Sequence, residues 1–120
     1  MLLNKLISGA KALGITLTHE QQAQFATYHR FLVKWNRRIN LTRIVEWNEV
    51  QTRHFLDSLT VALTLPSETL YSGKVLDIGT GAGFPGLPLK IAFPGIKLAL
   101  LESATNKAVF LKHLTDELRL

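Results

Sequence analysis

A glycine-rich segment follows a short apolar run in the second half of the sequence. Residues 75–78 read Val-Leu-Asp-Ile, and glycine then stands at positions 79, 81, 83 and 86. Glycine adopts backbone angles that are closed to other residues, and it lets a ligand touch the main chain. A helix that begins after such a turn offers free N–H groups and partial positive charge. The segment therefore predicts a binding site for a nucleotide-like ligand.

Two classes of ligand fit this segment. The string Gly81-Ala82-Gly83-Phe84-Pro85-Gly86 matches the Gly-x-Gly-x-x-Gly pattern with which dinucleotide sites hold a pyrophosphate. Sites for S-adenosylmethionine instead place an acidic residue in the strand and follow it with alternating glycines, which here is Asp77-x-Gly79-x-Gly81-x-Gly83. A glycine-rich turn that binds nothing is the third interpretation, and the strand, helix and spaced acids around this one make it the least favoured.

Asp77 favours the methyl donor over the dinucleotide. It lies two residues before the first glycine, where a carboxylate can reach the ligand's ammonium group directly or through water. A pyrophosphate site gains nothing from that charge, and the dinucleotide match begins only at Gly81, three residues late relative to the strand end. Glu102 closes the second predicted strand and can accept hydrogen bonds from both ribose hydroxyls, which suits either ligand. An NAD-dependent oxidoreductase domain remains the alternative.

Strands and helices must alternate around the turn to position these residues. The sequence predicts a strand over 74–78, a helix over 85–93 that Pro94 and Gly95 end, a second strand over 97–102 and a helix over 104–118. The inward positions of the last helix are Ala108, Leu111, Leu114 and Leu118. Strands that alternate with helices indicate a parallel sheet.

The first 65 residues instead show helical spacing throughout. A first helix is predicted over 2–13, with Gly14 as its stop, and Thr18 and Gln21 are spaced as a capping box that starts a second. The second helix carries one apolar line: Phe25, Tyr28, Leu32, Trp35 and Ile39. A third helix is predicted over 48–63 with Leu56, Leu59 and Leu63 as its core stripe, and 66–73 is predicted to be a turn-rich connector.

Three segments together make the sequence resemble one family. They are Asn40-Leu41-Thr42, Arg53-His54-x-x-Asp57-Ser58, and the glycine segment with its Phe84-Pro85-Gly86 extension. In this order they are similar to the guanine-N7 methyltransferases of small-subunit ribosomal RNA, also called glucose-inhibited division protein B. The resemblance covers essentially all 120 residues.

The resemblance implies a fold, a reaction and a set of site residues. The fold is an α/β, Rossmann-like S-adenosylmethionine-dependent methyltransferase domain, incomplete with its first two strands over 74–120, after an all-helical extension over 1–65. The reaction is methylation of guanine N7 in small-subunit (16S) ribosomal RNA. By position, Gly79 and Phe84 line the cofactor pocket and Glu102 holds the ribose. The candidate cofactor-binding residues are Asp77, Gly79, Thr80, Gly81, Gly83, Phe84 and Glu102.

The family runs to roughly twice this length, so we expect a fragment that is inactive alone. The later strands are absent, so one edge of the first strand is expected to be bare, and this favours self-association. No catalytic acid or base is nominated, because guanine N7 attacks through a lone pair that carries no proton. His54 and Asp57 share a helix face, and we favour a structural hydrogen-bonded pair or a packing contact over an acid–base pair.

A net charge of +5 indicates an anionic partner, such as small-subunit ribosomal RNA or a ribosomal particle. The candidate RNA-contacting residues are Arg30, Lys34, Arg37, Arg38 and Arg43. A solvated helix face with Trp35 in the core explains the same pattern equally well. A non-catalytic RNA-binding module on a methyltransferase shell is a further alternative.

Composition narrows the class of protein. The sequence is 47% apolar, which indicates a packed core, and it has no cysteine. No apolar run reaches the roughly 18 residues of a membrane span, and the N-terminus lacks the continuous apolar core of a signal peptide. We therefore predict a cytoplasmic protein with no membrane partner. The scattered histidines His19, His29 and His113 suggest no metal site.

Overall fold

The computed structural model describes residues 2–120, and it begins with a short helix. Helix α1 covers Asn4–Ala12 and ends where Gly14 adopts a φ of +82°. A positive φ is the usual conformation after a helix C-terminus and favours glycine. The predicted start at Leu2 is wrong, because Leu2 precedes the helix and is 74% exposed.

Helix α2 covers His19–Asn36, a length of 18 residues. The predicted capping box is confirmed: Oγ1 of Thr18 accepts the N–H of Gln21 at 3.1 Å, and Oε1 of Gln21 accepts the N–H of Thr18 at 2.8 Å. The predicted apolar line is buried at its first three positions, while Trp35 is half-buried. Ile39, the last position, lies beyond the end of the helix.

Residues 47–64 form a composite helix whose winding changes along its length. It consists of α3 (Trp47–Glu49), a π-helical segment (Val50–Leu56), α4 (Asp57–Leu59) and a 3-10 end (Thr60–Thr64). The predicted core position Leu63 is wrong, since its side chain is 68% exposed. The 3-10 end winds more tightly than an α-helix, and this carries Leu63 off the buried face.

The π-helical segment also ties α1 to the rest of the molecule. Gln51, only 1% exposed, accepts the backbone N–H of Leu6 on its Oε1 at 3.0 Å. This N–H belongs to the first turn of α1, where no intrahelical acceptor exists. A buried side-chain oxygen of the composite helix therefore completes the hydrogen bonding of α1.

The second half of the chain alternates helices and strands as predicted, with one addition. The predicted connector over 66–73 is wrong, because it holds helix α5, Ser67–Ser72. The elements that follow are β1 (Lys74–Ile78), α6 (Gly86–Ala92), β2 (Lys97–Leu101) and α7 (Thr105–Leu118). The two strands pair in parallel from Lys74↔Lys97 to Ile78↔Leu101, which confirms the parallel sheet.

One face of the sheet packs on the core and the other is exposed. Leu98 and Leu100 pack against the buried cluster, whereas Leu76, Ile78 and Leu101 are 60%, 70% and 56% exposed. The prediction that Ala108 of α7 faces inward is wrong, because this residue is exposed. Phe110, which the prediction omitted, is fully buried.

A single apolar core joins the helical first half to the strands and helices of the second. It contains Phe25 and Phe55 from the first half, and Leu87 and Phe110 from the second. No helix within residues 2–120 has both the length and the apolar composition needed to cross a bilayer.

Candidate cofactor-binding turn and basic surface

The glycine turn joins β1 to α6 and uses three positive φ angles. Gly79, Gly81 and Gly83 have φ values of +68°, +60° and +99°. No atom lies within 4 Å of a Cβ built at Gly79 or Gly81, so the main chain there faces open space. At Gly83 a Cβ would collide with the hydroxyl of Tyr28. The turn therefore exposes its first glycines and packs its third against α2.

Asp77 fixes the back of the turn. Its Oδ2 accepts a hydrogen bond from Oγ1 of Thr80 at 2.6 Å and another from the N–H of Gly86 at 3.0 Å. Gly86 is the first residue of α6, so a carboxylate already occupies the start of that helix. A pyrophosphate placed there would meet negative charge in place of free N–H groups.

Glu102 braces the turn from the end of β2. Its Oε1 accepts the N–H of Gly81 at 2.8 Å, and its Oε2 accepts the N–H of Ala104 at 2.9 Å. The Ala104 bond and then the Gly81 bond lower the pKa of the Glu102 carboxyl below its usual value. Glu102 is therefore ionised at neutral pH and lies directly beside the exposed part of the turn.

Helix α2 contacts the turn through Tyr28. The Tyr28 hydroxyl donates a hydrogen bond to the carbonyl of Ala82 at 2.6 Å. Burial, and then the charge of Asp77, raise the pKa of Tyr28 well above its usual value, so the hydroxyl keeps the proton that it donates. The sequence predicted Tyr28 only as a core residue, since its helical spacing gives no sign of the bond to the turn.

Phe84 follows the turn and stacks with two aromatic rings. Its ring centroid lies 5.5 Å from that of Tyr28 and 4.5 Å from that of His54, with interplanar angles of 7° and 13°. The Phe84–Pro85 peptide bond is cis. Phe84 thus connects the glycine turn to both α2 and the composite helix.

His54 packs against the turn. A packing contact was one of the two structural roles that the sequence predicted for it. Nε2 of His54 lies 2.7 Å from Oγ1 of Thr42, and within residues 2–120 no hydrogen bond joins the side chains of His54 and Asp57. Burial, then the charge of Arg53, lower the pKa of His54, and Asp57 opposes them. Sequence reasoning missed the contact with Thr42, although Thr42 belongs to a motif that carries the family resemblance.

The structure brings the seven candidate cofactor-binding residues to one place but not to one surface. Thr80 is buried, and its hydroxyl is bonded to Asp77 behind the turn. Gly79 is exposed, and Gly81 is half-buried beside Glu102. Asp77 and Thr80 therefore shape the turn from behind, while the exposed main chain and Glu102 face solvent.

The five candidate RNA-contacting cations are all exposed. The only ion pairs within residues 2–120 are Arg53–Glu49 and Lys112–Asp116, so none of the five has a carboxylate partner there. Trp35 packs against Phe110 and His113 with centroid distances of 5.7 Å and 5.4 Å. The cations thus form a basic surface along α2 and the loop after it, which we define as Arg30, Lys34, Arg37, Arg38 and Arg43.

The amide of Asn36 serves the loop and not this surface. Its Oδ1 accepts the N–H groups of Leu41 and Thr42 at 2.8 Å and 3.0 Å, which closes the loop after α2. Arg43 follows Thr42 directly, so the basic surface ends next to the residue that contacts His54. In the part of the chain that the structure describes, no three His, Asp or Glu side chains are grouped to hold a metal ion.

Known proteins match the chain over nearly its full length. The family model described as rRNA small subunit methyltransferase G matches residues 21–120. The chain is 51% identical over 118 residues to ribosomal RNA small subunit methyltransferase G of Dehalococcoides mccartyi, an alignment that covers 98% of this chain and 49% of that protein. The protein of the same name from Caldanaerobacter subterraneus is 49% identical over 114 residues, which covers 94% of this chain and 46% of that protein.

These matches confirm the resemblance that the three sequence segments predicted. They also confirm the fold class, because a parallel strand pair with a helical first half is the arrangement expected for an incomplete Rossmann-like methyltransferase. The chain spans about half the length of the curated relatives that it matches. It belongs to the rRNA small subunit methyltransferase G family.

Proposed function

We propose that this chain forms the S-adenosylmethionine-binding part of an enzyme that methylates guanine N7 in small-subunit ribosomal RNA. The observation that carries the proposal is the geometry of the glycine turn. Its main chain at Gly79 and Gly81, which borders open space, lies beside the ionised Glu102, and Asp77 holds the start of α6. The names of its relatives support the RNA substrate.

The residues present fit this cofactor. Gly79 and Gly81 leave room for a ligand to touch the main chain, as a nucleoside must at such a turn. Glu102 lies at the end of β2 with an ionised carboxyl, which can accept hydrogen bonds from ribose hydroxyls. The occupied start of α6 argues against the alternative of a pyrophosphate-binding NAD site.

The chemistry requires alignment and not proton transfer. When bound, S-adenosylmethionine supplies a sulfonium methyl group, which the lone pair of guanine N7 takes while the electrons of the broken bond stay on sulfur. Because N7 carries no proton, we assign no residue of this chain as an acid or a base. The turn and Glu102 instead orient the cofactor, and the apolar core beneath them keeps water from the packed side.

We propose that the basic surface contacts the RNA. Its five cations are exposed and have no carboxylate partners within residues 2–120, so their charge is available to phosphate groups. The surface also reaches Arg43, next to the Thr42–His54 contact that leads to the glycine turn. RNA held there would lie near the proposed cofactor site.

We also propose that residues 1–120 expressed alone associate with a second copy. The exposed side of the sheet presents Leu76, Ile78 and Leu101, and within residues 2–120 each strand has one neighbour only. Open strand edges and apolar sheet faces favour pairing between chains.

Calorimetric titration of the full-length protein tests the assignment. S-adenosylmethionine and its demethylated product should bind, NAD should bind far more weakly, and Glu102→Ala should weaken cofactor binding roughly tenfold or more. Glu117→Ala, which removes an exposed acid of α7, is the matched control and should leave binding unchanged. Tighter binding of NAD than of S-adenosylmethionine would overturn the proposal.

A further inference from the structure

Phe84 couples the glycine turn to two rings from the helical half of the chain. It stacks with Tyr28 and His54, and its ring also meets Phe55 edge-on at a centroid distance of 6.1 Å. Phe84 directly follows Gly83, the last glycine of the turn. The position of its ring therefore constrains the backbone of the turn.

The two stacking partners are held in different ways. Tyr28 is fully buried and bonded to Ala82, so the core and the turn itself hold it. His54 is half-buried on the composite helix, and its Nε2 lies 2.7 Å from Oγ1 of Thr42. The orientation of the His54 ring thus depends on a residue from the loop after α2.

Thr42 is itself fixed from two directions. Its N–H donates to Oδ1 of Asn36 at 3.0 Å, and its Oγ1 accepts the N–H of Ile44 at 3.1 Å. A hydroxyl that accepts one hydrogen bond still has its own hydrogen to donate. That hydrogen is available to Nε2 of His54 when the imidazole is neutral and carries its proton on Nδ1.

The surroundings of His54 favour the neutral ring. Burial and the neighbouring Arg53 lower the pKa of His54, and only Asp57 opposes them. Across the contact, the loop after α2 brings Thr42 and, next to it, the cation Arg43. A neutral His54 with its proton on Nδ1 accepts the Thr42 hydrogen, and its ring plane is then fixed against Phe84.

We propose that Thr42 and His54 are positioning residues for cofactor binding: Thr42 orients the imidazole of His54, the imidazole stacks on Phe84, and Phe84 holds the glycine turn in its binding shape. The inference rests on the proposed function only for the identity of the ligand. By this inference, the segments that contain Thr42 and His54 both help to hold the glycine turn in its binding shape. Neither residue takes part in the chemistry, because each acts through Phe84.

The first test needs no ligand. In the full-length protein, hydrogen exchange at the amides of residues 79–84 should become several-fold faster in Thr42→Val and in His54→Ala. Thr42→Ser keeps the hydroxyl and should restore the slow exchange of the wild type. Thr52→Val is the matched control, because the Thr52 hydroxyl bonds only to carbonyls of its own helix.

The second test measures the dissociation constant for S-adenosylhomocysteine by calorimetry. We expect Thr42→Val and His54→Ala to bind about tenfold more weakly, since one oriented hydrogen bond or one stacked ring is lost. His54→Phe, which keeps a stacking ring without the hydrogen bond, should fall between His54→Ala and the wild type. Thr42→Ser and Thr52→Val should bind as the wild type does.

The two readouts separate the possible failures. Normal affinity and normal exchange in Thr42→Val and His54→Ala would overturn the positioning role while leaving the proposed function intact. Faster exchange in Thr42→Val and His54→Ala, together with a wild-type protein that binds no S-adenosylhomocysteine, would overturn the proposed ligand and leave the positioning role intact. Equal acceleration at all amides, in Thr42→Val and His54→Phe alike, would show a global loss of stability and would contradict a local role.

Discussion

Two carboxylates hold the glycine turn, one within β1 and one directly after β2. Asp77 of β1 accepts hydrogen bonds from Thr80 and from the first residue of α6. Glu102, directly after β2, accepts the N–H groups of Gly81 and Ala104. The N–H groups of Gly81 and Gly86 thereby gain side-chain acceptors, while those of Gly79 and Thr80 bond to the carbonyl of Leu101. Side chains and strand carbonyls together hold the turn in its open shape.

The pH dependence of the free energy of unfolding should reveal the two hydrogen bonds that Glu102 accepts. Its pKa is lowered in the folded protein by the Ala104 and Gly81 N–H groups, below the usual value of 4.5. Its contribution to the free energy of unfolding is therefore fully present above that usual value and is lost as the pH falls through the lower folded value. Glu102→Gln removes this titration.

Urea unfolding of the full-length protein at a series of acidic pH values tests whether the Glu102 carboxylate accepts these two hydrogen bonds in solution. The free-energy difference between the wild type and Glu102→Gln should shrink steadily as the pH falls below about 4.5. A difference that stays constant through the acidic range would show that the two N–H bonds do not form in solution. Glu117→Gln serves as the exposed control.

Gly83 should tolerate no side chain. It combines a φ of +99° with a position where a Cβ meets the Tyr28 hydroxyl and lies 2.8 Å from the Leu87 side chain. Gly83→Ala should lower the free energy of unfolding by about 1–3 kcal/mol more than Gly14→Ala does. Gly14 is the matched control, because its φ is also positive but no atom lies near its Cβ. Equal losses on thermal unfolding would rule out the close contact with Tyr28.

The type of site could be predicted from spacing at the residue scale, but its hydrogen bonds could not. The positions of Asp77 and Glu102 relative to the glycines indicate a nucleoside site, because strand ends and glycine turns have fixed local geometry. The bond from Tyr28 to Ala82 joins residues 54 positions apart. Such a contact depends on how α2 packs, and no local pattern reports it.

At the scale of elements, the composite helix shows where periodicity fails. An α-helical period of 3.6 places Leu56, Leu59 and Leu63 on one face, yet Leu63 is exposed. The buried apolar positions are Val50, Phe55 and Leu59, with a five-residue step across the π-helical segment. Changes of winding are set by packing partners, so the pattern predicts the helix but not its buried side.

The π-helical segment also carries two side chains that contact other parts of the fold. Gln51 reaches the N-terminus of α1, and His54 reaches Phe84. π-helical insertions within helices are frequent at functional sites, and this one directs side chains to two different neighbours. The strands, by contrast, match their predicted bounds closely, because apolar runs between glycine and proline leave little choice of period.

The basic surface belongs to α2 and the loop after it. Charge reversal there should weaken RNA binding and leave cofactor binding unchanged. The double change Arg37→Glu and Arg38→Glu should weaken binding of small-subunit ribosomal RNA and reduce the slope of log affinity against log salt by ~2. Cofactor affinity should not change, because both residues are exposed members of the basic surface and not part of the glycine turn.

The matched control is Lys5→Glu with Lys11→Glu on α1, which alters the net charge equally and lies outside the basic surface. Filter binding over a range of salt concentrations measures both variants. If both pairs weaken RNA binding to the same extent, the effect comes from net charge, and the surface is only a solvated helix face.

For the whole molecule, two features matter: a single core that joins both halves of the chain, and one uncovered face of the sheet. The core joins residues from both predicted parts, so the helical half is a structural support for the glycine turn. Among the described residues, 2–120, the sheet has two strands, and the core covers only one of its two faces. Parallel sheets normally have both faces covered.

Residues 1–120 expressed alone should therefore self-associate and show no methyl transfer. Leu76, Ile78 and Leu101 are more than half exposed on one face of the sheet. Pairing with a second copy would remove this apolar area from water and supply partners for the outer backbone groups of each strand. Light scattering should report dimers or larger species, and an assay on small ribosomal subunits should detect no turnover.

A pair of variants separates the sheet face from other exposed apolar residues. Leu76→Lys with Ile78→Lys should raise the monomer fraction, because charged side chains on a strand oppose pairing between sheets. Leu2→Lys removes an equally exposed leucine outside the sheet and should leave association unchanged. A wild-type chain that is monomeric and turns over would contradict the prediction, since two strands and one glycine turn would then suffice for the reaction.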